Sequence, residues 1–288
     1  MGEFSAHWLS LREPIDHASR NRDIESAVFG DMQALVRSEQ QPLGRPLRVL
    51  DLGCGSGSNL RAIAPMIGAD QHWILVDYDP KLLAHARVQL SDWADEVVNQ
   101  TQDTLLLRHC GRELTVQFEM HDLNQSIEAV LDRDVELVTA AALFDLVSAS
   151  WLERFCSHLR SPFYTVLTFD GQMAWEPAHA MDPEMVRAFG QHQTSDKGLG
   201  GPALGPHASS ELARALREAG WQVRMADSPW RVTQTDGDFY GLLMQGIASA
   251  APETEIVSQA QAQTWLSYHG ASRCCTIGHI DLYATKAG

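Results

Sequence analysis

Apolar residues recur along this chain in short runs that end in glycine or polar turns, and these runs alternate with segments of helical period. Leu47–Leu52 is a largely apolar run closed by glycines, the pattern of a buried strand. Residues 61–67 continue as helix, and residues 72–76 form a second apolar strand. Asp79 and Pro80 then start a helix, as N-cap and first helical residue. Residues 105–109 and Arg112–Met120 alternate around Cys110 and Gly111, which predicts a hairpin whose second arm is the third core strand. Residues 135–140 make a fourth strand, followed by an amphipathic helix through Leu146, Trp151, Leu152 and Phe155. Residues 163–169 make a fifth strand, and residues 209–219 a helix closed by Gly220. Residues 221–225 and 277–285 read as the last two strands.

Strands alternating with helices predict an α/β fold with a doubly wound, mostly parallel sheet. The last two strands do not fit a strand–helix–strand step, so segment 226–275 is expected to return the chain antiparallel. Ahead of the sheet, residues 5–40 read as helical with a break at Glu13 and Pro14, and residues 41–46 form a turn-rich linker. Residues 171–208 form a long insertion rich in Gly, Pro, His and Met, with flexible glycines over 198–205. Loops of that length in a compact domain generally carry function or move.

Composition narrows the partners. The chain has 288 residues, is 44% hydrophobic and carries a formal charge of -15. Binding a nucleic-acid backbone requires clustered Lys and Arg, and no such run exists here, so nucleic acid is not an expected partner. No stretch of about 18 apolar residues occurs, so no membrane span is expected. The first residues have neither a basic nor an apolar signal region. The five cysteines are odd in number and form no C-x-x-C pair, which argues against a disulfide framework or zinc ribbon and for a reducing, cytoplasmic setting.

The chemistry sits where the first strand ends. Asp51, Leu52, Gly53, Cys54, Gly55, Ser56 and Gly57 place three alternate glycines between a strand and a helix. Glycine permits positive φ and the close approach of a ligand to the main chain. The dinucleotide fingerprint G-x-G-x-x-G fails, because Ser58 stands at the third glycine position and Gly57 comes one residue early. A pyrophosphate would also be repelled by the Asp51 carboxylate, whereas an ammonium or sulfonium ligand would not.

With that motif the chain resembles the class I S-adenosylmethionine-dependent methyltransferases, whose first motif is an acid followed by G-x-G-x-G. Asp77, which ends the second strand, matches the family's acid for the ribose hydroxyls, and Asp122 with Leu123 matches its adenine contacts. The segment from Ala140 to Asp145 matches the part that lines the methionine side. The resemblance covers residues 45–170. It implies a Rossmann-like, seven-stranded sheet with an antiparallel last strand, S-adenosylmethionine as cofactor, and methyl transfer to a small molecule. The near-helical spacing of Trp8, Arg12 and His17 suggests a helical N-terminal lid segment over residues 1–45, ahead of one domain over residues 46–288 with insertions at 171–208 and 226–275. The cofactor-binding candidates are Asp51, Gly53, Cys54, Gly55, Asn59, Asp77, Tyr78, Asp122, Leu123 and Ala141, joined by Trp8 and Arg12 from the lid. Arg12 would grip the methionine carboxylate, unless it pairs with Glu13 or Asp16 instead.

A general base is needed only for a hydroxyl or acidic carbon, and His17 and His192 are the candidates, since imidazole titrates near neutrality. His179, His192, His207 and Asp196 match no zinc spacing, so no metal is expected. Residues 191–197 are a candidate substrate segment. The alternatives are an NAD-dependent oxidoreductase and a non-catalytic S-adenosylmethionine-binding protein. The acceptor and the oligomeric state are not legible in the sequence.

Overall fold

The computed structural model describes residues 5–37, 44–270, 272 and 274–286. The chain opens with helices α1 (Ala6–Ser19) and α2 (Arg22–Arg37). Then come strand β1 (Leu47–Leu52), α3 (Ser58–Ile63), β2 (Gln71–Asp77) and α4 (Pro80–Trp93). A meander of β3 (Glu96–Gln100), β4 (Thr104–His109) and β5 (Arg112–Met120) leads to α5 (Leu123–Leu131), β6 (Leu137–Ala141), α6 (Ala149–His158) and β7 (Phe163–Glu176). The last part holds α7 (Asp182–Gln193), α8 (Ala208–Glu218), β8 (Trp221–Asp227), β9 (Trp230–Thr233), α9 (Asp238–Ala250), α10 (Gln259–His269) and β10 (Cys274–Lys286).

The ten strands form one sheet in the order β3-β4-β5-β2-β1-β6-β7-β10-β8, with β9 also on β10. β5, β2, β1, β6 and β7 run parallel, and β10 lies antiparallel between β7 and β8. These seven strands are the mostly parallel sheet with an antiparallel last strand expected from the sequence. Side chains of β1 and β2 alternate between two cores. Leu47, Val49, Trp73 and Leu75 face one side, and Leu50, Leu52, Ile74 and Val76 the other. Strand order reverses at β1 and β6, so the turn after β1 opens at the crevice where such sheets bind ligands.

Several boundaries differ from the sequence expectation. Pro14 does not break α1, because it lies on the exposed side, where the carbonyl it leaves unpaired faces water. The break falls at Arg20, which is extended (φ -56, ψ 139), and Asn21 then caps α2 by accepting from the N–H of Ile24 at 3.2 Å. Residues 38–43, which include part of the expected linker, lie outside the described residues. β7 extends to Glu176 rather than residue 169, and β3 and β9 are additional strands.

The end of β7, the start of β10 and β9 form an antiparallel ribbon beyond the parallel strands. Helices α7, α9 and α10 pack on it through Trp175, Met185, Phe239, Met244 and Trp265. Both insertions thus build one cap. The glycines at 198–205 are not loose as expected. Ser148 donates its N–H to the Leu199 carbonyl at 3.0 Å and Leu204 to the Val147 carbonyl at 2.8 Å, which pins the loop to the start of α6.

Candidate functional site

The turn after β1 folds because Gly53, Gly55 and Gly57 all hold positive φ (63, 52 and 74). A Cβ on Gly53 would stand 3.3 Å from the Leu143 side chain, and one on Gly55 3.3 Å from Leu9 of α1. Leu143 and Leu9 close over the turn, and they leave a cavity of about 530 Å³ at its rim. Gly53, Cys54, Gly55, Asn59, Asp77, Tyr78, Asp122, Leu123, Ala141 and Arg12 all line it. A buried thiol such as Cys54 has its pKa pushed up by burial, so it contributes shape rather than a nucleophile.

Asp77 holds the turn in place. Its carboxylate accepts the N–H of Gly55 at 2.9 Å and the N–H of Asp79 at 3.0 Å. Burial raises its pKa, and the backbone donors from Asp79 and Gly55 oppose that rise. Asp122 is exposed and caps α5, accepting from Asn124 N–H at 2.9 Å and Gln125 Nε2 at 2.7 Å. The Leu123 carbonyl accepts from Trp151 Nε1 at 2.8 Å.

Asp51 lies beneath the cavity, fully buried, rather than on its wall. Its Oδ1 accepts from Asn59 Nδ2 at 2.7 Å, and its Oδ2 has no partner. Burial raises its pKa to about 7. Asn59 also donates to Thr139 Oγ1 at 3.0 Å and accepts from Arg20 Nη2 at 2.8 Å. Arg20 is 4% exposed, lines the cavity, and leaves Nε and Nη1 unpartnered. Buried polar groups are nearly always paired. An orphaned carboxylate oxygen and two orphaned guanidinium nitrogens, joined through one asparagine, thus suit a ligand carrying both an ammonium and a carboxylate.

Four expected contacts are placed differently. Arg12 lines the cavity, but its guanidinium is engaged by Asp16, with Nε to Oδ2 at 2.8 Å, one helical turn along α1. Trp8 turns away from the cavity onto Phe239, with ring centroids 5.0 Å apart, because the cap gives it an apolar face to cover. His17 sits behind Ser58, with Nε2 3.0 Å from its hydroxyl, in a separate surface hollow beside Glu13 and Arg61. His192 lies on α7, with Nε2 3.3 Å from Glu253. Neither histidine reaches the cavity, so the expectation that they serve as the general base is corrected.

Sequence reasoning missed Arg20, because placing the break of the 5–40 helical segment at Glu13 and Pro14 makes it one more helical arginine. The signal was Asn21, a cap residue that places the turn at Arg20. Leu9, Ser58, His121 and Leu199 also line the cavity and carry no motif, while Leu143 lines it from the segment matched to the methionine side. No cluster of three or more His, Cys, Asp or Glu suited to a metal occurs among the described residues.

Residues 49–162 match the family model described as a methyltransferase domain. This segment is a methyltransferase domain. It runs from within β1 to α6 and includes the ends of β1, β2, β5 and β6 that border the cavity. No protein of curated function matches the chain in sequence. Among solved structures, YjhP from E. coli is similar at 15% identity over 96% of this chain and 99% of that one, with a TM-score of 0.43. The plantazolicin methyltransferase BpumL, in complex with SAH, is similar at 13% identity over 98% and 88%, with a TM-score of 0.45. A methyltransferase from Thiobacillus denitrificans, in complex with S-adenosyl-L-homocysteine, is similar at 16% over 97% and 98%, with a TM-score of 0.41.

Proposed function

We propose that the protein transfers the methyl group of S-adenosylmethionine to a small-molecule acceptor held in the cavity beneath α1. The observation that carries this is the orphaned pair around Asn59. Asp51, from beneath Asn59, would favour the ligand's ammonium by its charge, and Arg20, which lines the cavity, would take its carboxylate. Asp77 would accept the ribose hydroxyls, while Asp122, Leu123, Tyr78 and Ala141 would border the adenosine. The sulfonium supplies an electrophilic methyl carbon when the ligand is bound. The chain's task is then to align an acceptor with that carbon and to exclude water. Residues 1–45 act as a lid in this reading, with Leu9, Arg12 and Arg20 as its cavity-facing side chains.

The small-molecule acceptor is supported by α1 and the pinned loop at Gly198 and Leu199, which both line the cavity. The negative charge of the chain supports a partner other than nucleic acid. All five cysteines are free, which supports the cytoplasm as the compartment, and no helix among the described residues is long and apolar enough to cross a membrane.

Calorimetric titration of the full chain with S-adenosylhomocysteine and with NADH tests the cofactor. One-to-one binding of S-adenosylhomocysteine and none of NADH is expected. Saturable NADH binding with no S-adenosylhomocysteine binding overturns the reading.

A further inference from the structure

The last strand carries a carboxylate that is fully buried, Asp281 of β10. It sits where the pairing of β10 with β7 slips. Ile280 pairs with Thr168 and Leu282 with Thr165, so Val166 and Leu167 together face Asp281, two residues against one. That is a β-bulge, and Leu167 within it takes φ 58, which residues other than glycine seldom adopt. The Leu167 N–H donates to Asp281 Oδ1 at 2.9 Å. The other oxygen, Oδ2, accepts the N–H of Asn21 at 2.8 Å.

The Asn21 N–H belongs to the peptide bond that joins Arg20 to Asn21. Asp281 therefore fixes the peptide plane on which the Arg20 side chain is mounted. This is where α1 ends and Arg20 turns extended (φ -56, ψ 139). The bulge that anchors the carboxylate is itself tied to the cavity. The Val166 carbonyl accepts the N–H of Ala142 at 2.9 Å, and Ala142 lines the cavity. From the side-chain end, Asn21 Nδ2 donates to the Asp227 carbonyl at 3.0 Å.

A carboxylate is a costly group to bury, and an apolar residue in its place would leave the Asn21 and Leu167 N–H groups without it. What the carboxylate adds is geometry, because it ties residues 260 and 114 positions away to one point of the sheet. A binding group works only when held to within about 0.5 Å and 10–20°. A guanidinium at the tip of a long side chain magnifies any rotation of its backbone.

We propose that Asp281 is a positioning residue, which aims Arg20 at the carboxylate of the ligand by clamping the Arg20–Asn21 peptide bond to the β7 bulge. This rests on the methyltransferase reading above, in which Arg20 takes that carboxylate. Asp281 does not line the cavity, so it acts through Arg20 and not by touching the ligand.

The test is a double-mutant cycle on the full chain, with S-adenosylhomocysteine as the probe because it keeps the amino-acid carboxylate. Its affinity is measured by calorimetry for the wild type, Asp281→Asn, Arg20→Met and the double variant. Asparagine keeps the size of the side chain but turns one acceptor into a donor that faces an N–H. Asp281→Asn is expected to weaken binding at least ten-fold when Arg20 is present and less than two-fold when Arg20 is Met. An equal loss in both backgrounds means that Asp281 serves the fold alone, and overturns the proposal. Unchanged affinity in Asp281→Asn also overturns it. If Asp281→Asn does not fold, Asp281→Ser, which keeps an acceptor in a smaller side chain, enters the same cycle with the same expectation. Loss of the folded state in both variants assigns Asp281 to stability and overturns the proposal as well. Failure of S-adenosylhomocysteine to bind the wild type defeats instead the methyltransferase reading.

Discussion

Arg20 and Asn59 meet across 2.8 Å between the end of α1 and the first turn of α3. That one hydrogen bond ties the N-terminal helices to the glycine turn, while Nε and Nη1 of Arg20 make no hydrogen bond.

Replacing Arg20 by Met keeps the bulk and removes the donors. A hydrogen bond to a charged group contributes about 1.5–3 kcal/mol. S-adenosylhomocysteine is therefore expected to bind roughly 10- to 100-fold more weakly to Arg20→Met by calorimetry. Equal affinity would show that the ligand's carboxylate lies elsewhere.

Asp51 makes the ligand-free protein sensitive to pH. Its pKa is about 7 in the folded chain, against an ordinary value of 3.8. The folded state holds the proton more tightly, so the stability from this group is complete below about pH 4 and is lost as pH rises through 7. Between pH 5 and pH 8 the melting temperature should fall more for the wild type than for Asp51→Asn. The variant should melt higher at pH 8 yet bind S-adenosylhomocysteine more weakly. Parallel melting curves across that range would remove Asp51 as the cause.

Gly55 needs both its φ of 52 and its missing Cβ. Gly55→Ala costs about 1–2 kcal/mol for the left-handed backbone and pushes against Leu9 at 3.3 Å. The expected result is a lower melting temperature together with weaker S-adenosylhomocysteine binding. A drop in stability with unchanged affinity would mean that Leu9 yields without disturbing the cavity.

The cap has its own fastening. Asp182 Oδ1 of α7 receives Trp265 Nε1 and lies 2.8 Å from His269 Nε2, both on α10, and His269 Nδ1 lies 2.6 Å from Ser272 Oγ. Burial lowers the His269 pKa, and Asp182 partly offsets this. His269→Ala leaves Asp182 and Ser272 short of a partner, at about 2 kcal/mol. Hydrogen exchange should accelerate in α7 and α10 and stay slow in β1 and β2. Uniform acceleration would mean that the cap unfolds only with the sheet.

How much was legible follows how local each signal was. The glycine turn, Asp77 at the end of β2 and the Asp79 cap are readable because a few adjacent residues dictate their backbone. Arg12 illustrates the limit, since helical spacing allowed both a ligand and Asp16 as its partner, and packing decided for Asp16. His17 and His192 were chosen for their titration range alone, and the fold turned both away from the cavity.

By itself, then, the sequence determined the sheet's alternation, the cradle of Gly53, Gly55 and Gly57, and a carboxylate beneath it. These follow from periodicity and from φ angles that only glycine adopts easily. The tertiary structure alone decided that Arg20 faces Asn59, that two distant insertions form one cap, and that Arg12 lies over the Trp230 ring. The last of these joins residues 218 positions apart. Only the packing of α1 against the sheet and cap brings them into contact.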